Sequence, residues 1–162
     1  MKIIKKILKI TVLFFVLALL GSWLYTKTLH PVYNGNLALQ NLSKKVVVYY
    51  DDIGVPHINA SNEKDAYRAL GFIHAQDRLW QMALIRRIAA GRLSEVFGRK
   101  LLKTDVFFSG LGIVENTNES IAKLDKSSES YQLTMAYLDG INQFIEDGPT
   151  PIEYMLVGVD KK

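Results

Sequence analysis

The chain has 162 residues, enough for one ordinary domain, and 49% are apolar and 22% charged, which excludes a disordered chain, a collagen-like repeat and a disulfide-stabilised scaffold. Cysteine is absent, and this excludes disulfides, thiolate metal sites, a cysteine nucleophile and a lipid attached to cysteine. Four of the 20 basic residues are lysines before residue 10, and the other 16 basic residues balance the 16 acidic ones. The net charge of +4 therefore provides no basic surface in the rest of the chain, and we expect no nucleic-acid partner.

An almost unbroken apolar segment, Ile7–Tyr25, follows the first three of these lysines and contains the fourth, Lys9, near its inner end. As a helix it would span about 28 Å, close to the thickness of a bilayer's hydrocarbon core. Trp23 and Tyr25 lie where an interfacial aromatic belt is expected, and the preceding lysines place the rest of the chain outside the cytoplasm. We therefore predict that residues 1–27 form a signal anchor, with a single-pass transmembrane helix in the lipid bilayer over residues 7–25. The remainder would be periplasmic, beside a bacterial inner or cytoplasmic membrane.

A cleaved signal peptide is the competing interpretation of this segment. Cleavage requires small residues one and three positions before the cut. A cut after Gly21 puts Leu19 at the third position, and a cut after Ser22 puts Leu20 there. An uncleaved anchor is therefore favoured, although the sequence leaves both interpretations open.

Residues 28–45 predict a polar linker, because they contain the turn residues Pro31 and Asn34-Gly35. The β-branched and aromatic run Val46–Tyr50 predicts a strand, and Val55–Ala60 predicts a second one. Asp51–Gly54 between them is typical of a turn. These segments together predict a β-hairpin.

A long helix is predicted from Glu63 to about Ala90, with Asn62 as its N-cap and Asp65 near its positive end. Apolar residues recur at helical spacing on so much of its surface that we expect deep burial. Gly91 interrupts this helix, and Gly98 would end a further turn or two over 92–97. The two predicted stripes contain Ala66, Leu70, Ile73, Trp80, Leu84 and Ile88, and Ala69, Phe72, Leu79 and Ala83.

The remaining elements are a short aromatic segment over 106–108, capped by Thr104 or Asp105, and a second long helix over 129–146, capped by Ser127 or Ser128. In the second helix the predicted buried stripe is Tyr131, Met135, Leu138, Ile141 and Ile145, whereas Gln132, Asp139, Gln143 and Glu146 are expected to face solvent. A final apolar segment, 152–159, has no following element to pack against, so we expect exposed apolar surface and aggregation if the chain is made alone.

The histidines and the paired carboxylates offer few candidates for catalysis or metal binding. His30 lies in the predicted linker, His57 in the second strand and His74 on the long helix, where His74 and Asp77 share one face. A zinc site would need a third ligand, so a hydrogen-bonded core histidine is favoured at His74. The adjacent Asp51 and Asp52 would point to opposite faces of a strand and cannot flank one bond, so a solvated turn is favoured there.

The centre of the long helix contains polar residues within an apolar element. A buried carboxylate such as Asp77 needs a partner, because an unpaired buried charge costs several kcal/mol. We therefore predict an ion-pair and amide network that fixes this helix against another layer, rather than a proton-transfer site, which would lack a nucleophile. The framework network is predicted to comprise His74, Gln76, Asp77, Arg78, Gln81, Arg86 and Arg87.

The order of these residues resembles the start of penicillin acylase (penicillin amidase) precursors, which belong to the N-terminal-nucleophile (Ntn) hydrolase superfamily. The resemblance is dense from about Val46 to Asp105 and looser as far as Tyr154. It is carried by Asp51-Asp52-Ile53-Gly54, Val55-Pro56-His57-Ile58, Asp65-Ala66, Gly71-Phe72, the run from Ala75 to Met82, Arg86-Arg87, the run from Gly91 to Gly98, Asp105, the run from Tyr137 to Asn142, and Pro151-Ile152-Glu153-Tyr154.

The resemblance implies a fold and a reaction. The fold class is α+β: an N-terminal transmembrane helix, then a β-hairpin and a mainly helical segment that form a fragment of a four-layer αββα Ntn-hydrolase fold. The precursor would cut itself into an α chain and a larger β chain, whose new N-terminal serine attacks the amide carbonyl with its own α-amino group as base. The substrates would be linear amides such as β-lactam side chains, in antibiotic metabolism, or N-acyl homoserine lactones.

The sequence departs from the family pattern at the nucleophile, which is normally a serine followed by asparagine. Gly21-Ser22-Trp23 lacks that asparagine, and Ser61, Ser94 and Ser109 match nothing catalytic. The resemblance therefore assigns no catalytic, substrate-binding or metal-binding residue to this chain, and calcium would bind only in the full-length enzyme. Residues 46–162 are predicted to be the truncated N-terminal part of an α chain that requires a missing β-chain portion, from the same precursor or a separate chain.

Three interpretations of the whole chain follow. The first is the N-terminal segment of an amidohydrolase, inactive alone. The second is a membrane-anchored, non-catalytic binding module, and the third is a decayed gene remnant. The resemblance favours the first.

Overall fold

The computed structural model describes residues 2–161, so the outermost predicted bounds, at residues 1 and 162, lie outside the described residues. The chain divides into two compact units, one ending at Pro31 and one beginning at Val32. The described elements are α1 (Lys2–Thr28), β1 (Val47–Tyr50), β2 (Pro56–Asn59), α2 (Glu63–Ala89), α3 (Ser94–Phe97), a 3₁₀ turn (Arg99–Leu101), α4 (Leu102–Gly110), α5 (Ile113–Ala122), α6 (Glu129–Asp147) and α7 (Ile152–Val157).

Helix α1 is the main element of the first unit. Its segment Ile3–Thr28 is long and apolar enough to cross a membrane, and none of the most apolar part of it is buried. The length and composition are those of a signal anchor, and a signal sequence near an N-terminus has the same properties.

The predicted hairpin is confirmed. Strands β1 and β2 pair antiparallel, with Val48 opposite Ile58 and Tyr49 opposite His57. The turn closes through a hydrogen bond of 3.1 Å from the Asp51 amide to the Val55 carbonyl. Gly54 in this turn has φ of +79°, a conformation that favours glycine.

The two long helices are also confirmed, together with their caps. The Asn62 side chain accepts a hydrogen bond from the Asp65 amide at the start of α2, and the Ser128 hydroxyl accepts one from the Tyr131 amide at the start of α6. Helix α2 contains one residue with non-helical backbone angles, Arg78, at φ −138° and ψ 16°. A kink therefore lies at the centre of the element that the sequence predicted as one continuous helix.

Helices α2 and α6 cross at two glycines. A Cβ atom on Gly140 would collide with the Arg68 carbonyl of α2, and a Cβ atom on Gly71 would collide with the Tyr137 carbonyl of α6. The two backbones therefore touch, which only glycine permits. The core continues from this crossing through Ala75, Leu79, Ile141, Phe144 and Tyr154.

The buried face predicted for α6 is confirmed at Ile141, which is 8% exposed, and is wrong at other positions. Met135 and Leu138 are 45% and 41% exposed, whereas Phe144 is 2% exposed and Gln143, expected in solvent, is 7% exposed. The reason is the crossing at Gly140, which turns the face bearing residues 136, 140 and 144 toward α2 and leaves Met135 and Leu138 exposed.

Three further predictions need correction. Helix α4 runs through residues 102–110 and α5 follows it, whereas the sequence predicted only a short segment over 106–108. Asp105 does not cap that segment; it is buried within α4 and binds another part of the chain. The final apolar segment does find a packing partner, because Tyr154 is 2% exposed and its ring lies 5.0 Å from that of Trp80, although Leu156 stays 77% exposed.

Candidate functional site

Two of the predicted network residues, at the middle of α2, bind the segment that follows α1. Gln76 accepts a hydrogen bond of 3.2 Å from the Val32 amide, and Asp77 accepts one of 3.3 Å from the Tyr33 hydroxyl. Partial desolvation raises the pKa of Tyr33, which stays 50% exposed, and the adjacent Asp77 charge raises it further. Gln76 and Asp77 therefore fasten the segment after α1 to the middle of α2.

His74 is exposed, so the predicted core position is wrong. One ring nitrogen lies 3.1 Å from the Tyr137 hydroxyl of α6. The described residues contain no group of three or more side chains suited to a metal ion. His74 therefore contributes to the contact between α2 and α6 through Tyr137.

The arginines and Gln81 do not join the other network residues through hydrogen bonds. Arg78, Gln81 and Arg86 are exposed. Arg87 donates to the Ala83 carbonyl of its own helix, and its Nε is buried without a hydrogen-bond partner in the part of the chain that the structure describes. The structure thus distributes the seven predicted residues along α2 rather than around one point.

A second polar cluster, which the sequence did not predict, surrounds Asp65. This side chain is 2% exposed. It accepts hydrogen bonds from the Ser43 hydroxyl at 2.6 Å, from the backbone amides of Ser43 and Lys44, and from the Asn62 side chain at 2.7 Å. The Ser43 hydroxyl and these other donors hold the pKa of Asp65 far below its usual range.

A third cluster links the same segment to both long helices. Asp139 of α6 accepts hydrogen bonds from Arg68 of α2 at 2.6 Å and from Asn41 at 3.1 Å. Gln143 exchanges two hydrogen bonds with the backbone of Gln40. Burial opposes ionisation of Asp139, but the donors outweigh it and hold its pKa below the usual value.

We call residues 32–45 the strap. Its start is hydrogen-bonded to α2, and its end is hydrogen-bonded to both α2 and α6. The sequence predicted all of this segment as part of a linker over residues 28–45. Only a weak signal was available: Asp139 and Gln143 are polar and four residues apart beside Gly140, as expected for a polar edge along a close crossing.

Two other aspartates, Asp105 and Asp51, bind backbone amides at the start of α3 and in the hairpin turn. Asp105 accepts hydrogen bonds of 2.7 Å from the amides of Leu93 and Ser94; burial opposes its ionisation, and these donors still hold its pKa below the usual value. Asp51 accepts from the amide of Val55 at 2.8 Å and lies 3.2 Å from the His57 ring, and these contacts lower its pKa. The predicted turn at Asp51 is confirmed.

A cavity of about 490 Å³ lies between the strap, β1 and α2. Its walls are mainly apolar and include Leu37, Leu39, Val48, Phe72 and Ile73. Its ionisable side chains are Lys45, Tyr33 and Tyr50, and it has no carboxylate or histidine. The cavity is therefore suited to receiving apolar side chains.

A sequence model of the family described as penicillin amidase matches residues 45–162. Among curated proteins, the chain is 44% identical over 131 residues to penicillin acylase 2 proenzyme of Pseudomonas sp. strain SE83, which covers 80% of this chain and 17% of that protein. It is 33% identical to the acyl-homoserine lactone acylase QuiP of Pseudomonas fluorescens strain Pf0-1, over 80% of this chain and 16% of that one. The chain thus spans about a sixth of these relatives.

Similarity extends to a solved structure, thermostable penicillin G acylase from Alcaligenes faecalis. The TM-score is 0.62 and the identity 28%, over 73% of this chain and 64% of that chain. The chain matched in the solved structure is therefore much shorter than the curated proenzyme. This difference is expected if the relatives are made as long precursors and contain more than one segment when mature.

Proposed function

This chain belongs to the penicillin amidase family, and from that membership we propose that it forms the N-terminal segment of an acylase that hydrolyses linear amide bonds. The family match over residues 45–162 carries the proposal. Penicillin and N-acyl homoserine lactone amides are the substrate classes that the names of its relatives suggest. The complete fold would be the four-layer αββα sandwich that the resemblance implies.

We assign this segment a framework role within the acylase. Its three most strongly bound carboxylates, Asp65, Asp105 and Asp139, each accept several hydrogen bonds within the chain. Ser43, the serine beside Asp65, donates its hydroxyl to that carboxylate, and the surrounding donors hold the pKa of Asp65 far below its usual range, so Asp65 is a poor base for activating the serine. The nucleophilic serine would therefore come from the part of the acylase beyond these residues, and the 162-residue chain alone would be inactive.

Calcium does not fit the described residues of this segment. No group of three or more acidic or histidine side chains is present among them, and the carboxylates bind amide and hydroxyl donors instead. A calcium ion would belong to another part of the complete enzyme.

We further propose that α1 is an uncleaved anchor and that the second unit lies on the periplasmic side. The test is alkaline carbonate extraction of membranes from producing cells, with N-terminal sequencing of the protein. Retention in the pellet with an intact N-terminus is expected. Release into the supernatant with a new N-terminus near Gly21 or Ser22 would identify a signal peptide.

The enzymatic proposal is tested with a chimeric proenzyme, in which residues 32–162 replace the corresponding segment of the Pseudomonas penicillin acylase 2 proenzyme. We expect the chimeric proenzyme to hydrolyse a chromogenic acyl anilide. The chain of residues 1–162 in detergent should show no hydrolysis and no titratable active site. Activity of the 162-residue chain would overturn its framework role, and a chimeric proenzyme that is soluble but inactive would overturn the acylase assignment.

A further inference from the structure

The two-stranded hairpin has an open edge on the outer side of each strand, and backbone alternation shows which residues form the one on β1. In an antiparallel pair of strands, hydrogen-bonded residue pairs occur at every second position. Asp51 and Val55 form such a pair, so the next ones toward the start of β1 are Tyr49 with His57 and Val47 with Asn59. The amides and carbonyls of Val48 and Tyr50 therefore point away from β2. Among the described residues this sheet has two strands, so nothing in it pairs with that side of β1.

The open edge of β1 adjoins the cavity. Val46, Val48 and Tyr50, whose backbone groups face the open edge, also line the cavity with their side chains. An extended segment laid along β1 would thus bond to the backbone at alternate residues and place every second side chain into the cavity.

The strap is built to admit such a segment. Its start is held by Gln76 and Asp77, and its end by Gln143, Asp139 and Asp65. Residues 34–39 between these ends line the cavity, and no hydrogen bond joins them to another described residue. The cavity is therefore bounded on one side by a segment that is hydrogen-bonded only at its ends and on the other by a strand edge that is unpaired within the described sheet.

We propose that the open edge of β1 and the adjoining cavity receive a β-strand from the remainder of the acylase, so this inference rests on the proposed function. The chain spans 17% of its Pseudomonas relative, so most of such an enzyme lies outside it. A strand is the form of partner that fits, because an unpaired edge requires backbone hydrogen bonds that a helix or an acyl chain cannot supply. Its inward side chains would be apolar, to match Phe72 and Ile73 on the cavity floor.

Amide hydrogen exchange with single-residue resolution tests this proposal, applied to the 162-residue chain in detergent and to the chimeric proenzyme. In the chain, the amides of Val48 and Tyr50 should exchange freely, whereas those of Val47 and Tyr49, paired with β2, should be protected. In the chimeric proenzyme, exchange at Val48 and Tyr50 should slow by at least about tenfold. The amides of Val47 and Tyr49 serve as the internal control.

The outcomes separate the two proposals. An active chimeric proenzyme in which Val48 and Tyr50 exchange as fast as in the chain alone would overturn the added strand and leave the acylase function intact. A chimeric proenzyme that neither assembles nor hydrolyses would overturn both. Slowed exchange confined to these two amides would support the strand.

A substitution that fills the cavity gives a second test. Ala38→Trp, on the exposed part of the strap, would place an indole in the cavity, and Ala122→Trp, at the exposed end of α5, is the matched control. We expect Ala38→Trp to lower the yield of active chimeric proenzyme about tenfold, by occupying the site of the strand. Equal yields from the two variants would contradict insertion into the cavity.

Discussion

Helix α2 has two contrasting sides. On the side facing α6, backbones touch at Gly71 and Gly140, and polar side chains seal the edge of the contact. On the side facing β1, a cavity of about 490 Å³ separates α2 from the strap. The first side is closely packed, whereas the second has an open strand edge and apolar cavity walls. The contrast shows that the two long helices are fixed to each other by contacts that do not involve the cavity side of α2, which is the side where we propose that a strand is added.

The largest expected effect is at the closely packed side. Gly140→Ala should destabilise the second unit by about 3 kcal/mol or more, because a Cβ atom would collide with the Arg68 carbonyl and separate the helices. Urea unfolding of the chain in detergent would measure this, followed by Trp80 fluorescence in a Trp23→Phe background. Gly110→Ala, at a helical glycine with open space around it, is the control and should be neutral or slightly stabilising. Similar losses in both variants would show that the crossing does not depend on glycine.

The next effect should come from Asp65. Asp65→Asn removes a charged acceptor that binds several donors and should cost about 2 to 3 kcal/mol. Because folding depresses the pKa of Asp65, its contribution is present above the unfolded pKa of about 3.9 and is lost as the pH falls toward the folded value. Urea midpoints measured between neutral and acidic pH should therefore fall more steeply in the original chain than in Asp65→Asn. Asp52→Asn, an exposed carboxylate in the hairpin turn, should follow the original chain.

A smaller effect is expected from the pair that seals the crossing. A double-mutant cycle on Arg68→Met and Asp139→Asn should give a coupling energy of about 1 to 2 kcal/mol, because Arg68 is largely buried where it binds Asp139. The exposed pair of Arg92 and Glu95, which has similar geometry, is the comparison and should couple more weakly. If the two pairs couple equally, burial at the crossing adds nothing to the interaction.

The sequence predicted local structure better than it predicted which surfaces meet. Capping by Asn62 and Ser128 and the turn around Gly54 depend on neighbouring residues, and all three were predicted correctly. The face of α6 was predicted only in part, because periodicity follows apolar side chains, whereas Gly140 creates a contact by having no side chain. A glycine that costs helix stability was a signal of close approach, but its partner at Arg68 is 72 positions earlier and local pattern does not reveal it.

The polar clusters escaped prediction for a similar reason. The sequence directed attention to the concentration of polar residues over 76–87, yet the most buried carboxylate is Asp65, in the first turn of α2. Its donors at Ser43 and Lys44 belong to the strap, which composition made resemble a linker. Only the fold brings these segments together, so the number of hydrogen bonds that Asp65 accepts could not be read from spacing.

The smallest effect is expected on the cavity side and tests the contrast most directly. Val48→Ala should cost the 162-residue chain less than about 1 kcal/mol, because this side chain borders open space and its loss creates no enclosed void. In the chimeric proenzyme, the same change should cost more if an added strand encloses the residue, since a cavity would then remain. Comparing the urea midpoint of the chain with the heat-inactivation rate of the chimeric proenzyme, each relative to its parent, would measure the difference. A large loss in the chain alone would mean that β1 already packs on both sides, and the contrast between the two sides of α2 would not hold.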